Sequence, residues 1–205
     1  MARLRSPKGC PWDREQTHAS LRRHAIEEVY ELVDAIEGGD DDEMVEELGD
    51  ILLQVVFHCQ LARERKAFDF DRVCRTLVQK LIRRHPHVFG STKVRNVDEV
   101  WANWERIKKD EKKGTWQERK SVLDGIPRHL PALLRAEKVT KKARKAGLVP
   151  ASKGRRVSKA ALAGELFRLA SVALDHGWSA EELLVAEVRR QERLFRSLES
   201  RQMKN

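Results

Sequence analysis

Cysteine is scarce in this 205-residue chain: Cys10, Cys59 and Cys74 make an odd number, and none belongs to a CxxC pair. The three cannot all pair internally, and they read as reduced thiols of a cytoplasmic protein, serving as packing groups. Long apolar runs are lacking as well. None approaches the roughly 20 residues needed to span a bilayer, which excludes a membrane-spanning role for this sequence. The basic start, Met1-Ala-Arg-Leu-Arg5, gives way to Ser6-Pro-Lys-Gly-Cys-Pro-Trp12 where a secretory signal would carry its apolar core. Sustained apolar–polar alternation of the kind strands show is absent, as are low-complexity tracts. What remains is the pattern of an all-helical globular protein.

Charge is plentiful and unevenly placed. Residues 1–90 carry 14 Lys/Arg against 17 Asp/Glu, and residues 91–205 carry 27 against 15. An acidic front half and a basic back half suit a site that holds cations together with a polyanion. The same split suits a nucleic-acid binder with the basic half as its footprint.

Periodicity and breakers place the helices. Leu21, Ala25, Val29, Leu32 and Ile36 recur at spacings of three and four, which predicts a helix over about 17–37 with that stripe facing a core. Gly38-Gly39 stops it, and Asp40-Asp41-Asp42 places negative charge at the positive end of the next helix, about 42–65. The middle of that helix, Ile51-Leu-Leu-Gln-Val-Val-Phe57, is apolar enough to be the centre of a bundle. Further helices are expected over about 70–84, from near Asp98, up to about Ala146, and over about 159–175 and 180–200. A loop is expected over 147–156, and Ser179 with Glu182 forms a capping box. The first four helices, closely linked, predict an antiparallel bundle.

The first two helices carry an unusual acid set. Glu27, Glu28 and Glu31 share one flank, and on the next helix Glu47 and Asp50 stand three apart, one turn after Glu43. Like charges at this spacing repel, and those on the second helix adjoin its most apolar stretch, where unpaired carboxylates are costly. A divalent cation relieves both problems, and oxygen ligands from facing helices are what Mg²⁺ accepts. Gly49, between the two acids, allows a close backbone approach. The competing explanation is plainer: Glu favours helices, and most Glu-rich faces simply meet water.

Lys80, Arg83 and Arg84 lie at helical spacing and suit phosphate, with His85 and His87 flanking Pro86. The HxH pair is expected to pack or to bond backbone rather than to ligate a metal. Trp104 and Lys108, one turn apart, can present a stacking ring and a cation in the same direction. For Trp12, Trp101, Trp104 and Trp116 a core role is the competing explanation.

These residues fall into ordered motifs. Cys10-Pro-Trp-Asp-Arg-Glu-Gln-Thr-His18, Glu27-Glu-Val-Tyr-Glu31, Glu46-Glu-Leu-Gly-Asp50, Arg83-Arg-His-Pro-His-Val-Phe89, Trp104-Glu-Arg-Ile-Lys108 and Leu123-Asp-Gly-Ile-Pro127 together resemble the MazG nucleoside triphosphate pyrophosphohydrolases. The resemblance covers about residues 9–147 and continues more faintly to about 200. It implies an all-α, MazG-like four-helix bundle that cleaves an NTP or dNTP between the α and β phosphates, using Mg²⁺, with Mn²⁺ as a substitute. It further implies Glu28, Glu31, Glu47 and Asp50 as metal ligands, with Glu27 handling the attacking water or a second ion. Lys80, Arg83 and Arg84 would grip pyrophosphate, and Trp104 and Lys108 would contact base and phosphate. A homodimer or higher homo-oligomer is implied too.

Longer members of the family carry two such domains in tandem, and here the second half departs from that pattern. Ala163-Gly-Glu-Leu-Phe167 resembles the second-helix motif, with Glu165 in the aspartate's place, but Leu162 stands where a glutamate belongs and no EExxE precedes it. The expected organisation is therefore a catalytic domain over 1–120 and a degenerate helical domain over 121–205 that serves structure or assembly. Two other functions are weighed: a non-catalytic nucleotide-sensing regulator, and a nucleic-acid binder using the basic half. The complete acid set disfavours both. This organisation predicts that Glu165→Gln leaves turnover nearly unchanged, measured per correctly assembled enzyme. A large loss with fold and assembly intact would mark the second half as active.

Overall fold

The computed structural model describes residues 1–115, 118–150 and 157–202. Trp116 and most of the expected 147–156 loop lie outside the described residues. Every regular element among the described residues is a helix, and none of the helices is long and apolar enough to cross a membrane. The chain divides into two compact units, Met1–Lys108 and Lys109–Asn205.

The first unit holds α1 (Pro11–Glu15), α2 (Arg22–Gly38), α3 (Asp41–Glu64), α4 (Phe70–Arg84), α5 (Pro86–Phe89) and most of α6 (Val97–Asp110). Helix α2 starts later than the expected residue 17, because Thr17 and Ser20 bond each other's backbone. Ser20 Oγ accepts from Thr17 N at 2.9 Å and Thr17 Oγ1 accepts from Ser20 N at 3.1 Å, a local turn that competes with helix. At its far end Gly39 takes a left-handed φ of 71° and donates its N–H to Ala35 O at 3.0 Å, a conformation glycine adopts without strain. Asp40 then caps α3 by accepting from Asp42 N and Glu43 N, which turns the chain back so that α3 lies along α2.

The face that α2 buries differs from the expected stripe. Leu21 and Ala35 are buried, whereas Val29 and Ile36 are exposed. Positions 21, 25, 28, 32 and 35 form the covered face, so the stripe is rotated by one position in its second half and includes Glu28. The apolar middle of α3 likewise leaves Leu52, Leu53 and Val55 exposed within the single chain. The core of this unit is small and sits towards the end of α3: Leu21, Phe57 and Leu61, with Met1 packed against them.

The N-terminal segment is tied to that core by one arginine. Arg5 Nε and Nη2 donate to both carboxylate oxygens of Glu64 at 2.8 Å, and Nη1 donates to the carbonyl of Asp13. Its guanidinium also lies 5.6 Å from the Phe57 ring centre, and Trp12 meets the same ring edge-on. Gly9 lets the chain fold on itself beneath this contact: a Cβ there would stand 2.0 Å from the Leu4 carbonyl oxygen. His18 and His58 stack with their Nδ1 atoms 2.8 Å apart, a contact in which one ring donates and the other accepts. Burial, and then the neighbouring His18, push the His58 pKa down.

The second unit contains α7 (Ala132–Lys145), α8 (Lys159–Asp175) and α9 (Ala180–Gln202). Helix α7 packs on α9 around Leu123, Val139, Ala143, Leu148, Val188 and Phe195. Polar ties reinforce the packing. Buried Arg135 pairs with Glu192, and Arg196 bridges Glu192 at 3.0 Å and Asp124 at 2.8 Å. Glu199 accepts from Ser121 Oγ and Val122 N, so the segment ahead of α7 is bound down to α9. At the N-terminus of α9 one half of the expected capping box forms: Ser179 Oγ accepts from Glu182 N at 3.2 Å, and no return bond from Ser179 N to the Glu182 carboxylate is seen among the described residues. Among the described helices α8 packs against α9, and it leaves Leu162, Leu166, Phe167, Leu169 and Leu174 exposed.

The Arg5–Glu64 pair sets a pH dependence. Its hydrogen bonds hold the Glu64 pKa below the usual glutamate value. The stability it contributes is therefore full above about pH 4.5, the unfolded value, and is lost as pH falls through the lower folded value. Glu64→Gln should cost about 1–3 kcal/mol at neutral pH by leaving a largely buried guanidinium poorly paired. In denaturant titrations the gap between variant and wild type should close in acid. A gap that stays constant down to pH 3 would refute this role.

Candidate active site

The turn at Gly39-Asp40 brings the acid-bearing faces of α2 and α3 together. Glu28, Glu47 and Asp50 each offer a carboxylate oxygen, all within 4.8 Å of one another. Each is half-buried. Glu28 Oε1 accepts a 3.3 Å hydrogen bond from Gln54 Nε2, while Glu47 Oε2 is buried with no hydrogen-bond partner among the described residues. Burial raises the Glu28 pKa, aided by the charges of Asp50 and Glu31. Loss of hydration raises that of Glu47, aided by Glu31, Asp50 and Glu28. Three acids that disfavour one another's charge, one with an orphaned oxygen, form a hard-oxygen donor set suited to a divalent cation.

Of the five acids singled out in the sequence, three converge. Glu31 is exposed and stands next to the trio, raising the Glu28 pKa by its charge and by side-chain hydrogen bonding and adding charge to Glu47. Glu27 turns away to Arg23 at 2.8 Å and His24 at 3.3 Å. The expected close approach at Gly49 is not made, since a Cβ there would meet nothing within 4 Å. Gln54 escaped sequence reasoning. The available signal was its register, one turn beyond Asp50 on the same face as Glu47.

A second feature lies between α4 and α6. A cavity of about 400 Å³ is lined by Lys80, Leu81, Arg84, His85, Val100, Trp101 and Trp104. Arg84 stands 5.7 Å and Lys108 Nζ 4.3 Å from the Trp104 ring centre, and Trp101 meets Trp104 edge-on at 5.4 Å. Lys80, Arg84 and Trp104 thus come together, with Lys108 beside them, whereas Arg83 is exposed and outside the lining. Trp101 is exposed rather than core. His85 bonds backbone as anticipated, through Nδ1 to Leu81 O at 2.7 Å. In the second unit Glu165 is held by Arg168 in a paired contact. No group of three or more metal-ligating side chains occurs there among the described residues.

Fold and site define an all-helical protein with a carboxylate-lined helix pair and, on other helices of the same unit, a cationic, aromatic cavity. Residues 16–89 match the family described as the MazG nucleotide pyrophosphohydrolase domain. The chain is 49% identical over 148 residues to the nucleoside triphosphate pyrophosphohydrolase of Escherichia coli K12, covering 72% of this chain and 56% of that protein. It is 50% identical over 147 residues to the Thermotoga maritima nucleoside triphosphate pyrophosphohydrolase/pyrophosphatase MazG, covering 72% and 55%. A Bacillus subtilis relative, the uncharacterized protein YabN, is 51% identical over 138 residues, which are 67% of this chain and 28% of that one. This chain therefore carries a MazG nucleotide pyrophosphohydrolase domain, and it spans little more than half the length of the E. coli and T. maritima relatives.

The electrostatics of the trio predict that the acids are held together at a cost. For Glu28 and Glu47 the folded pKa lies above the unfolded one, so metal-free stability should fall as pH rises from about 4.5 through the folded values. Glu47→Gln should remove part of that slope and leave the metal-free protein as stable as wild type or more so at pH 7. Thermal unfolding in chelator checks this, and clear destabilisation would show that the acids are paired rather than in conflict.

Proposed function

We propose that this protein is a nucleoside triphosphate pyrophosphohydrolase, releasing pyrophosphate and a nucleoside monophosphate by attack of water on the α-phosphorus. The observation that carries this reading is the convergence of Glu28, Glu47 and Asp50 from two helices with an unpartnered buried oxygen. The relatives' printed activity supports it. Mg²⁺ is assigned to Glu28, Glu31, Glu47 and Asp50, with Mn²⁺ able to substitute. Bound there, it would lower the pKa of water and neutralise charge on the α-phosphoryl oxygens. Glu31 already acts on Glu28 and Glu47 and is assigned to complete the set from beside them. Glu27 is assigned to the water or a second ion and would have to leave Arg23 and His24 to serve. Lys80 and Arg84, and Arg83 from outside the cavity, are assigned to the phosphates. Trp104 stacks the base, and Lys108 beside it meets a phosphate.

The second unit is assigned to assembly, and the protein to the cytoplasm. Exposed leucines along α8 and the uncovered apolar middle of α3 support a homodimer or higher homo-oligomer, since helices apolar on several sides are stable when covered. Light scattering on the active enzyme tests this, and a strictly monomeric active species would rule it out.

Nucleoside triphosphates supplied with Mg²⁺ should yield pyrophosphate and monophosphate. Orthophosphate and diphosphate would point to another cleavage and overturn the assignment. Asp50→Ala and Glu31→Ala should each abolish most turnover while the fold survives, because removing a ligand also relieves repulsion. Near-normal turnover of either variant at saturating Mg²⁺ would refute the ligand set.

A further inference from the structure

The cavity between α4 and α6 is chemically one-sided. Lys80 and Arg84 only donate hydrogen bonds, as do the indole N–H groups of Trp101 and Trp104, and Leu81 and Val100 have no polar side-chain atom. His85 differs. Its Nδ1 lies 2.7 Å from the Leu81 carbonyl oxygen, which can only accept. The proton therefore sits on Nδ1, and in the neutral ring Nε2 carries a lone pair. Nε2 has no protein partner among the described residues and is not among the buried polar atoms. The side-chain bond from Nδ1 to the Leu81 carbonyl, at the end of α4, thus fixes the tautomer of a cavity-lining residue.

We propose that His85 Nε2 is a specificity determinant of the nucleoside subsite, accepting a hydrogen bond from a donor group on the bound nucleoside. This deepens the pyrophosphohydrolase reading and rests on it for the identity of the ligand. Two groups of an adenine nucleoside supply that chemistry: the exocyclic amine of the base and a ribose hydroxyl. Tryptophan stacking and the two cations hold any base and any phosphate chain, so they provide affinity without discrimination. His85 is the one lining side chain, among the described residues, able to reject a nucleoside that lacks the donor. It is a positioning and specificity residue and takes no part in cleavage.

The test compares ATP, dATP and purine riboside 5′-triphosphate, which is ATP without the 6-amino group, on wild type and His85→Ala. Wild type should prefer ATP by about two- to tenfold in kcat/KM, the range of one net hydrogen bond, over whichever analogue lacks the recognised donor. The preference over purine riboside triphosphate identifies the amine, and the preference over dATP identifies the 2′-hydroxyl. His85→Ala should abolish that ratio. A uniform loss on all three substrates marks a structural role and overturns the proposal, as do unchanged ratios. Titrations of the same nucleotides by tryptophan fluorescence give the corresponding affinity ratios without turnover. If wild type binds all three but releases no pyrophosphate from any, the reaction assignment fails while His85 is still judged by those ratios. Imidazole ¹⁵N shifts supply an independent readout: His85 protonated at Nε2 in the free protein would also overturn the proposal.

Discussion

The structure turns on the mutual repulsion of carboxylates held between α2 and α3. Glu28 lies on the covered face of α2, at a position where the helix would otherwise present an apolar side chain, and it meets Glu47 and Asp50 across the interface. Ionising all three in a partly dehydrated space is unfavourable, so this stretch of the interface cannot be what holds the two helices together. That task falls to the far end of α3, where Leu21, Phe57 and Leu61 form the core and Arg5 grips Glu64. Stability is concentrated at one end of the helix pair and strain at the other, a division in which a functional site is maintained by structure that does not itself react.

The two units solve the problem of a small core differently. The first leaves much of α2, α3 and α4 uncovered and relies on the N-terminal segment to close one end. The second binds α7 to α9 with an apolar cluster and a chain of ion pairs from Asp124 through Arg196 and Glu192 to Arg135. Partial burial alone would push the Asp124 pKa up, but the Arg196 contact and backbone donors hold it below the usual aspartate value. That network fixes the Ser121–Asp124 segment, including the turn that Gly125 completes at φ 80°. The exposed apolar residues of α3 and α8 lie on helices that already pack another face against a neighbour, and the proposed assembly rests on them.

Much of this was legible in the chain. Helix α4 runs over 70–84 and α8 over 159–175, where spacing and breakers put them, because Asp69 and Ser158 cap their starts and no partner is needed to define their ends. The stop at Gly39 and the cap at Asp40 were equally plain, since both depend on neighbours within a few residues. The misjudged features were those that depend on what lies opposite. Val29 and Ile36 satisfied the period of a buried stripe, yet α3 approaches the adjacent face. Gly49 suggested close packing, yet nothing comes near it. Helix α1 and the short α5 went unforeseen because neither carries a periodic signal.

The sequence by itself determined the all-helical class, the helix ends with local caps, and the identity of the acids and cations on which the proposed chemistry rests. All of these follow from residue type and spacing along one chain. Which three of the five acids converge, that Glu27 turns to Arg23 and His24, and that Gln54 reaches Glu28 were decided only by the tertiary structure. So was the meeting of Trp101, Trp104 and His85 with Lys80 and Arg84 around one cavity. The reason is geometric: helical periodicity fixes the angle of each side chain about its own axis, whereas convergence depends on the rotation of one helix relative to the next. That rotation depends on contacts between helices, such as the packing of Leu21 against Phe57 and Leu61, which join segments distant from each other in the chain.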